Sequence, residues 1–158
     1  MNIGLKLCSL LFAISAVSCT PQTTSSSVIS SSNYDEIIER QSVSLAECLS
    51  KEEEHYLVYF YSSTCTPCSE IKGDVVSFAV DNIVKTYFLN TKEPGNEIQK
   101  CSAEEVVVGV SDVSDLFIVG TPTLVEVKNG TTTSNVAGKS KCLNLLNELR
   151  ANNNQPNS

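Results

Sequence analysis

The sequence predicts an α/β domain in which strands and helices alternate. Three observations predict it. The apolar, aromatic run Tyr56-Leu57-Val58-Tyr59-Phe60-Tyr61 is bounded by small polar residues and reads as a buried strand, and behind it Ile71, Val75, Val76, Phe78 and Ala79 recur at helical spacing. Asn129-Gly130 stands between two β-rich runs, Thr123 to Val127 and Thr131 to Val136, which is a strong hairpin signal. Lys139 to Arg150 then carries Cys142, Leu145, Leu146 and Leu149 on one helical face.

Taken in order, Ile37-Ile38 predicts the start of a short edge strand, and Ser44 to Glu54 a helix with Leu45, Cys48 and Leu49 as its apolar stripe. The strand at Tyr56 to Tyr61 leads into a helix from Cys65 to about Val80. Ile83 to Leu89 is a second apolar strand. Within Thr91 to Ser111, Pro94-Gly95 marks a turn and Glu97 to Glu104 a helix, and Val113 to Phe117 reads as a short helical turn. The hairpin and the last helix close the domain, and Asn152 to Ser158 is a polar tail.

The junction between the first long strand and its helix carries the chemistry. It reads Ser62-Ser63-Thr64-Cys65-Thr66-Pro67-Cys68-Ser69. A cysteine at a helix N-terminus faces orphan backbone N–H groups and the positive end of the helix dipole, and both stabilise a thiolate. Three residues on, Cys68 lies on the same face one turn deeper, within reach of a disulfide. Pro67 is tolerated because first-turn N–H groups have no intrahelical partner. Two blander readings compete. Half of a zinc site would need further ligands, but His55 is the only histidine and there is no second Cys-x-x-Cys. A purely structural disulfide would more often bridge distant segments. Redox chemistry is the favoured reading.

Before the domain, Met1 to Ser18 has the shape of a secretory signal, with Lys6 as its basic residue and Leu7 to Val17 as an apolar stretch too short to span a bilayer. Ala16-Val17-Ser18-Cys19 resembles a bacterial lipobox, whose cysteine is lipidated and becomes the new N-terminus, although Ala16 and Ser18 also satisfy an ordinary small-x-small cleavage site. Residues 19–33, rich in Ser and Thr and without charge, read as a flexible tether to a folded unit over 34–152, leaving 153–158 as the tail. The expected location is therefore extracytoplasmic, held to the membrane by a lipid on Cys19. With 11 basic and 18 acidic residues the net charge is −7, which argues against nucleic-acid binding. Glu52-Glu53-Glu54 reads as a solvated helix end. Of the remaining cysteines, Cys48 and Cys142 lie on apolar helical faces and suit core packing. Cys101, among Gln99, Lys100 and Ser102, is the expected exposed thiol, and a bridge from it to either of the others stays open.

Strand, Cys-x-x-Cys helix, strand, helix, hairpin, helix is an order that resembles the thioredoxin family, which implies a three-layer α/β fold with a central mixed β-sheet flanked by helices. The likeness extends to Cys65-Thr66-Pro67-Cys68, to Gly120-Thr121-Pro122-Thr123, to Lys128-Asn129-Gly130 and to Gly138 before the last helix. It implies that Cys65 exchanges with substrate sulfurs while Cys68 resolves the mixed disulfide. It implies also that Thr121-Pro122 is a cis peptide, and that Thr66, Pro67, Thr121 and Pro122 border the substrate. No cofactor is implied beyond the Cys65–Cys68 disulfide itself. The partners implied are thiols and disulfides of exported proteins and a membrane or extracytoplasmic redox partner. A reading from another class is a binding lipoprotein of the same fold without turnover. The chain departs from the family where a buried aspartate is usual, here Tyr59, and where a lysine is usual, here Phe88; an aromatic pair replaces an ion pair. The usual tryptophan before the motif is Thr64. The exchange implies both rings buried together under the motif.

Overall fold

The computed structural model describes residues 31–103 and 107–154. The signal-like segment, Cys19, the tether up to residue 30 and the tail from residue 155 lie outside the described residues.

Helix α1 (Ser31–Arg40) opens the described chain. The edge strand expected at Ile37-Ile38 is thus helix instead, and the last three residues of the expected tether belong to it. The reason is spacing: Tyr34, Ile37 and Ile38 fall at i, i+3 and i+4 and form a stripe against the core. After α1 the chain runs along the edge of the sheet, with Val43 N–H donating to Phe88 O at 3.0 Å and Phe88 N–H to Gln41 O at 2.9 Å. The helix expected over Ser44 to Glu54 shrinks to one 3₁₀ turn, Leu45–Glu47. Past Leu49 this segment offers only Ser50 and the charged run Lys51 to Glu54, with no apolar residue to hold a second turn. Glu54 instead turns its carbonyl to Asn129 N–H at 2.7 Å, under the hairpin.

Strand β1 (His55–Tyr61), helix α2 (Thr66–Asp81) and strand β2 (Lys85–Asn90) follow as expected in kind, with β2 starting two residues late. The helix expected over Glu97 to Glu104 is absent from 97–103. In its place a two-residue strand β3 (Gln99–Lys100) pairs in parallel with β4 (Phe117–Ile118), and Cys101 N–H donates to Ile118 O at 3.0 Å. Pairing with a distant segment has overridden a local preference too short to hold a helix alone. A 3₁₀ turn, Val113–Asp115, precedes β4. Strands β5 (Thr123–Lys128) and β6 (Thr131–Ala137) form the hairpin, with Asn129 and Gly130 both at positive φ, as a primed turn requires. Helix α3 (Lys139–Asn153) runs three residues beyond Arg150, into the expected tail.

The main sheet has the order β2-β1-β5-β6, with β1 and β2 parallel and the other pairs antiparallel. β1 is central and its alternate residues enter two cores. Leu57 and Tyr59 face α1, α2 and α3, together with Ile71, Val75, Phe78, Phe88 and Leu146. Tyr56, Val58 and Phe60 face the other way, onto Val43, Leu49, Val107, Leu116 and Ile118. That second face is covered by 3₁₀ turns, loops and the β3–β4 pair; both missing helices belong to it. Among the described residues no helix is long and apolar enough to cross a membrane.

Candidate active site

β1 ends at the site, and a short turn built by Ser and Thr delivers the first cysteine. Buried Ser62 accepts the Thr64 N–H on its Oγ at 3.3 Å, its Oγ lies 3.1 Å from Thr64 Oγ1, and its carbonyl accepts the Cys65 N–H at 3.1 Å. Cys65 then caps α2, its Sγ accepting the Cys68 N–H at 3.1 Å, with Pro67 in the first turn. A sulfur that accepts a backbone N–H at a helix start is one whose anionic form is stabilised.

Cys65 and Cys68 are joined in a disulfide, with Cα atoms 5.2 Å apart. Cys65 is half-buried, whereas Cys68 is 4% exposed, so an incoming sulfur reaches Cys65 first. Thr66 and Pro67 are exposed beside it. The Thr121–Pro122 peptide is cis, and Thr121 O lies 3.4 Å from Cys65 Sγ. Pro122 itself is buried and borders neither groove beside the sulfurs. Its carbonyl accepts the Gly138 N–H at 2.7 Å, a contact made with Gly138 at φ 92°, where only glycine is unstrained. Of this loop, Gly120 and Thr121 border the larger groove.

Beneath the disulfide lie Tyr59 and Phe88, 2% and 1% exposed, edge to face with centroids 6.1 Å apart. Tyr59 also stacks on Tyr61 at 5.8 Å, and its hydroxyl donates to Cys68 O at 3.4 Å. Burial, reinforced by the neighbouring Cys142 and Tyr61, pushes the Tyr59 hydroxyl well above the usual phenol range. It stays protonated and supplies no base for Cys68. Cys48 and Cys142 are fully buried thiols in the core, and Cys101 is half-buried and outside the disulfide. Burial pushes the Cys48 thiol up to about 12. Among the described residues no group of three or more His, Cys, Asp and Glu side chains is gathered to hold a metal.

Two grooves meet at Cys65. One, of about 560 Å³, passes between the start of α2, Thr121 and the segment 91–100. The other, of about 330 Å³, leads past Tyr61 to Cys68 and is bordered by the Lys72–Asp35 ion pair at 2.5 Å. Lys92, Ile98 and Lys100 in the first groove and Asp35 and Lys72 in the second are site residues that the sequence reading does not find. They belong to no motif: Asp35 comes from α1 and Ile98 and Lys100 from the approach to β3 and from β3 itself, elements it misreads, whereas Lys92 follows β2 and Lys72 lies on α2.

A disulfide on a helix N-terminus, with one sulfur open and one shielded, against a central mixed sheet, defines a thiol–disulfide oxidoreductase. The thioredoxin family model matches residues 28–151, and the chain belongs to the thioredoxin family. No curated protein sequence is a significant match. Among solved structures, the chain is similar to mitochondrial thioredoxin 3 from Saccharomyces cerevisiae in its oxidised form, at 14% identity and a TM-score of 0.51, covering 75% of this chain and 98% of that one. It is similar also to a single-residue mutant of thioredoxin from Halobacterium salinarum, at 17% identity and a TM-score of 0.50, covering 73% of this chain and 92% of that one. At these identities the likeness speaks to the fold, and the chemistry rests on the sulfurs. The family's redox group is the cysteine pair itself.

Proposed function

We propose that this chain is a membrane-anchored, extracytoplasmic thiol–disulfide oxidoreductase that exchanges disulfides with exported proteins through Cys65 and Cys68. The observation that carries the chemistry is the unequal exposure of the two bonded sulfurs at the start of α2. In the reducing direction the Cys65 thiolate attacks a substrate disulfide; a Cys65–substrate S–S bond forms and the first substrate sulfur leaves as a thiolate. The Cys68 thiolate then attacks Cys65 Sγ, the Cys65–Cys68 bond forms and the second substrate sulfur leaves. Two electrons pass to the substrate, whose thiolates take up the two protons given up by the dithiol. Oxidation of a substrate dithiol is the reverse.

The location rests on the sequence, on the apolar stretch Leu7 to Val17 followed by Cys19 and an uncharged tether. Full burial of Cys48 and Cys142 agrees with it, because a shielded thiol is slow to oxidise even in an oxidising compartment. For direction, Thr66 and Pro67 bring no positive charge between the cysteines, which favours an intermediate or reducing potential. Equilibration with glutathione buffers reads that potential, and a value of about −120 mV, the strong-oxidant end of the range, refutes it.

The full chain expressed in a bacterium tests the whole reading. The expected results are an acylated Cys19 as the mature N-terminus, membrane fractionation that Cys19→Ala abolishes, and insulin reduction that Cys65→Ser abolishes. A chain keeping Met1 in the cytosolic fraction overturns the location. A folded protein that neither reduces insulin nor refolds a reduced protein overturns the activity.

A further inference from the structure

We propose that the larger groove selects its substrate by charge, taking an extended protein segment with acidic side chains beside the sulfur to be exchanged. The inference rests on the oxidoreductase reading and names the substrate class of that site. It starts from how the basic side chains are used. Lys72, Lys128, Lys139 and Arg150 each pair with a carboxylate, and Lys51 and Lys85 stand over the ring of Tyr87. Among the described residues Arg40, which borders neither groove, and the pair Lys92 and Lys100 do neither. Both lysines are exposed, and both border the groove that ends at Cys65.

Among the described residues the one acidic side chain bordering the groove is Glu97, whose carboxylate accepts the Gly95 N–H at 3.0 Å and is partly occupied there. The described lining of the groove, two lysines against one glutamate, is thus net positive by one charge in a chain of net charge −7. The N-terminal end of the 16-residue helix α2, at the groove's inner wall, adds to that sign. A substrate of acidic character is repelled by most of this surface and attracted at the one place where its sulfur reacts, which steers encounter as well as contact.

The groove also has an apolar strip. Half-buried Ile98 and buried Ile118 line it together with the two lysines and Thr121. Such a mix suits a chain with alternating apolar and acidic side chains better than a small anionic thiol, which has nothing to place on the isoleucines. The volume of about 560 Å³ is within the range of ligand clefts.

The test uses the pre-reduced protein in a single turnover. Three peptides of one length carry a cysteine held in a mixed disulfide with an uncharged small thiol, flanked by aspartates, asparagines or lysines. Each reduction releases both thiols and leaves the Cys65–Cys68 disulfide. The aspartate peptide is expected to react roughly two- to thirtyfold faster than the asparagine peptide, the range for two exposed charge pairs. The lysine peptide should be slowest, and the ranking should collapse at about 1 M salt, where the screening length is ~3 Å. K92E/K100E should invert it, with circular dichroism reporting the fold and K92Q/K100Q, which should flatten it, in reserve.

Equal rates for the three peptides, or a ranking that survives K92E/K100E, overturns the assignment and leaves the oxidoreductase reading standing. Glutathione disulfide slowed by K92E/K100E as much as the aspartate peptide overturns the protein-segment assignment in favour of a small anion. No reduction of any peptide by a folded, reduced protein overturns the oxidoreductase reading and this one with it.

Discussion

Tyr59→Asp puts a carboxylate where the family usually has one, but without the cation that goes with it. The site is 2% exposed and its register partner on β2 is Phe88. A fully buried carboxyl with no partner has its pKa raised by ~3–5 units, and each unit is 1.36 kcal/mol, so the ionised variant is destabilised by about 4–7 kcal/mol. That is comparable with the whole stability of a domain, ~5–15 kcal/mol. Loss of the Tyr61 and Phe88 ring contacts adds about 0.5–1.5 kcal/mol for each pair at every pH. The sign follows from the folded pKa lying above the unfolded one. The variant is least impaired below the unfolded value of ~3.9, loses stability as pH rises, and levels off above the folded value of ~7–9. Urea unfolding of Tyr59→Asp and the native protein near pH 4, 6 and 8 reads this as a widening gap, while Tyr59→Phe gives a gap that does not change with pH. Tyr59→Asp with Phe88→Lys should recover part of the loss at neutral pH, since the two positions are paired across β1 and β2. A gap independent of pH, or a double variant worse than the sum of the singles, refutes the claim that a dry aromatic pair has replaced an ion pair here.

Three further outcomes are expected. Cys68→Ser keeps the open sulfur and loses the resolving one, so substrate adducts should accumulate on Cys65, visible on a non-reducing gel and by mass spectrometry of the bands; adducts on Cys101 would mean the roles are misassigned. Burial would raise the Glu126 carboxyl, but hydrogen bonds from Lys128 at 2.9 Å, His55 at 2.8 Å and Thr133 at 3.1 Å outweigh it and hold the group below the usual carboxylate range. Its stabilisation is therefore present above the unfolded pKa and lost as pH falls through the folded one, and Glu126→Gln should narrow its difference from the native protein in acid; a difference that grows there contradicts the cluster. Cys48, its thiol pushed up to about 12 by burial, should alkylate in mildly alkaline iodoacetamide only on unfolding, and labelling of the folded protein as fast as at Cys101 would show that the core opens locally.

The legible parts of the fold were those whose signal is local. Tyr56 to Tyr61 is apolar on both faces because β1 has a core on each side, and the helix behind it follows from one apolar stripe. Asn129-Gly130 named its own turn. Cys65 and Cys68 were legible because three residues along a helix fixes their separation, whatever packs around them. The failures have two causes: a local apolar stripe, or its absence, that the reading leaves uncounted, and pairing with a segment far away in sequence. Ile37-Ile38 looks β-branched and strand-like until Tyr34 is counted with it and the stripe is seen to pack on the core beside α2. Gln99 and Lys100 are strand only because Phe117 and Ile118 lie alongside.

The division has a consequence for the site. The face of the sheet covered by α1, α2 and α3 holds the sulfurs from below through Tyr59, Phe88 and Cys68, and there the sequence pattern and the structure agree except at α1. The other face is covered by segments that bury Leu116 and Ile118 but leave Lys92 and Lys100 in water, and there they do not. Exchange chemistry needs a fixed distance and a helix end, which short-range sequence encodes. Choice of substrate needs side chains brought together from the end of β2, from β3 and from β4, which it does not. Charge reversal at Lys92 and Lys100 touches only the second kind of information, so it should change which peptide is reduced without disturbing the disulfide that reduces it.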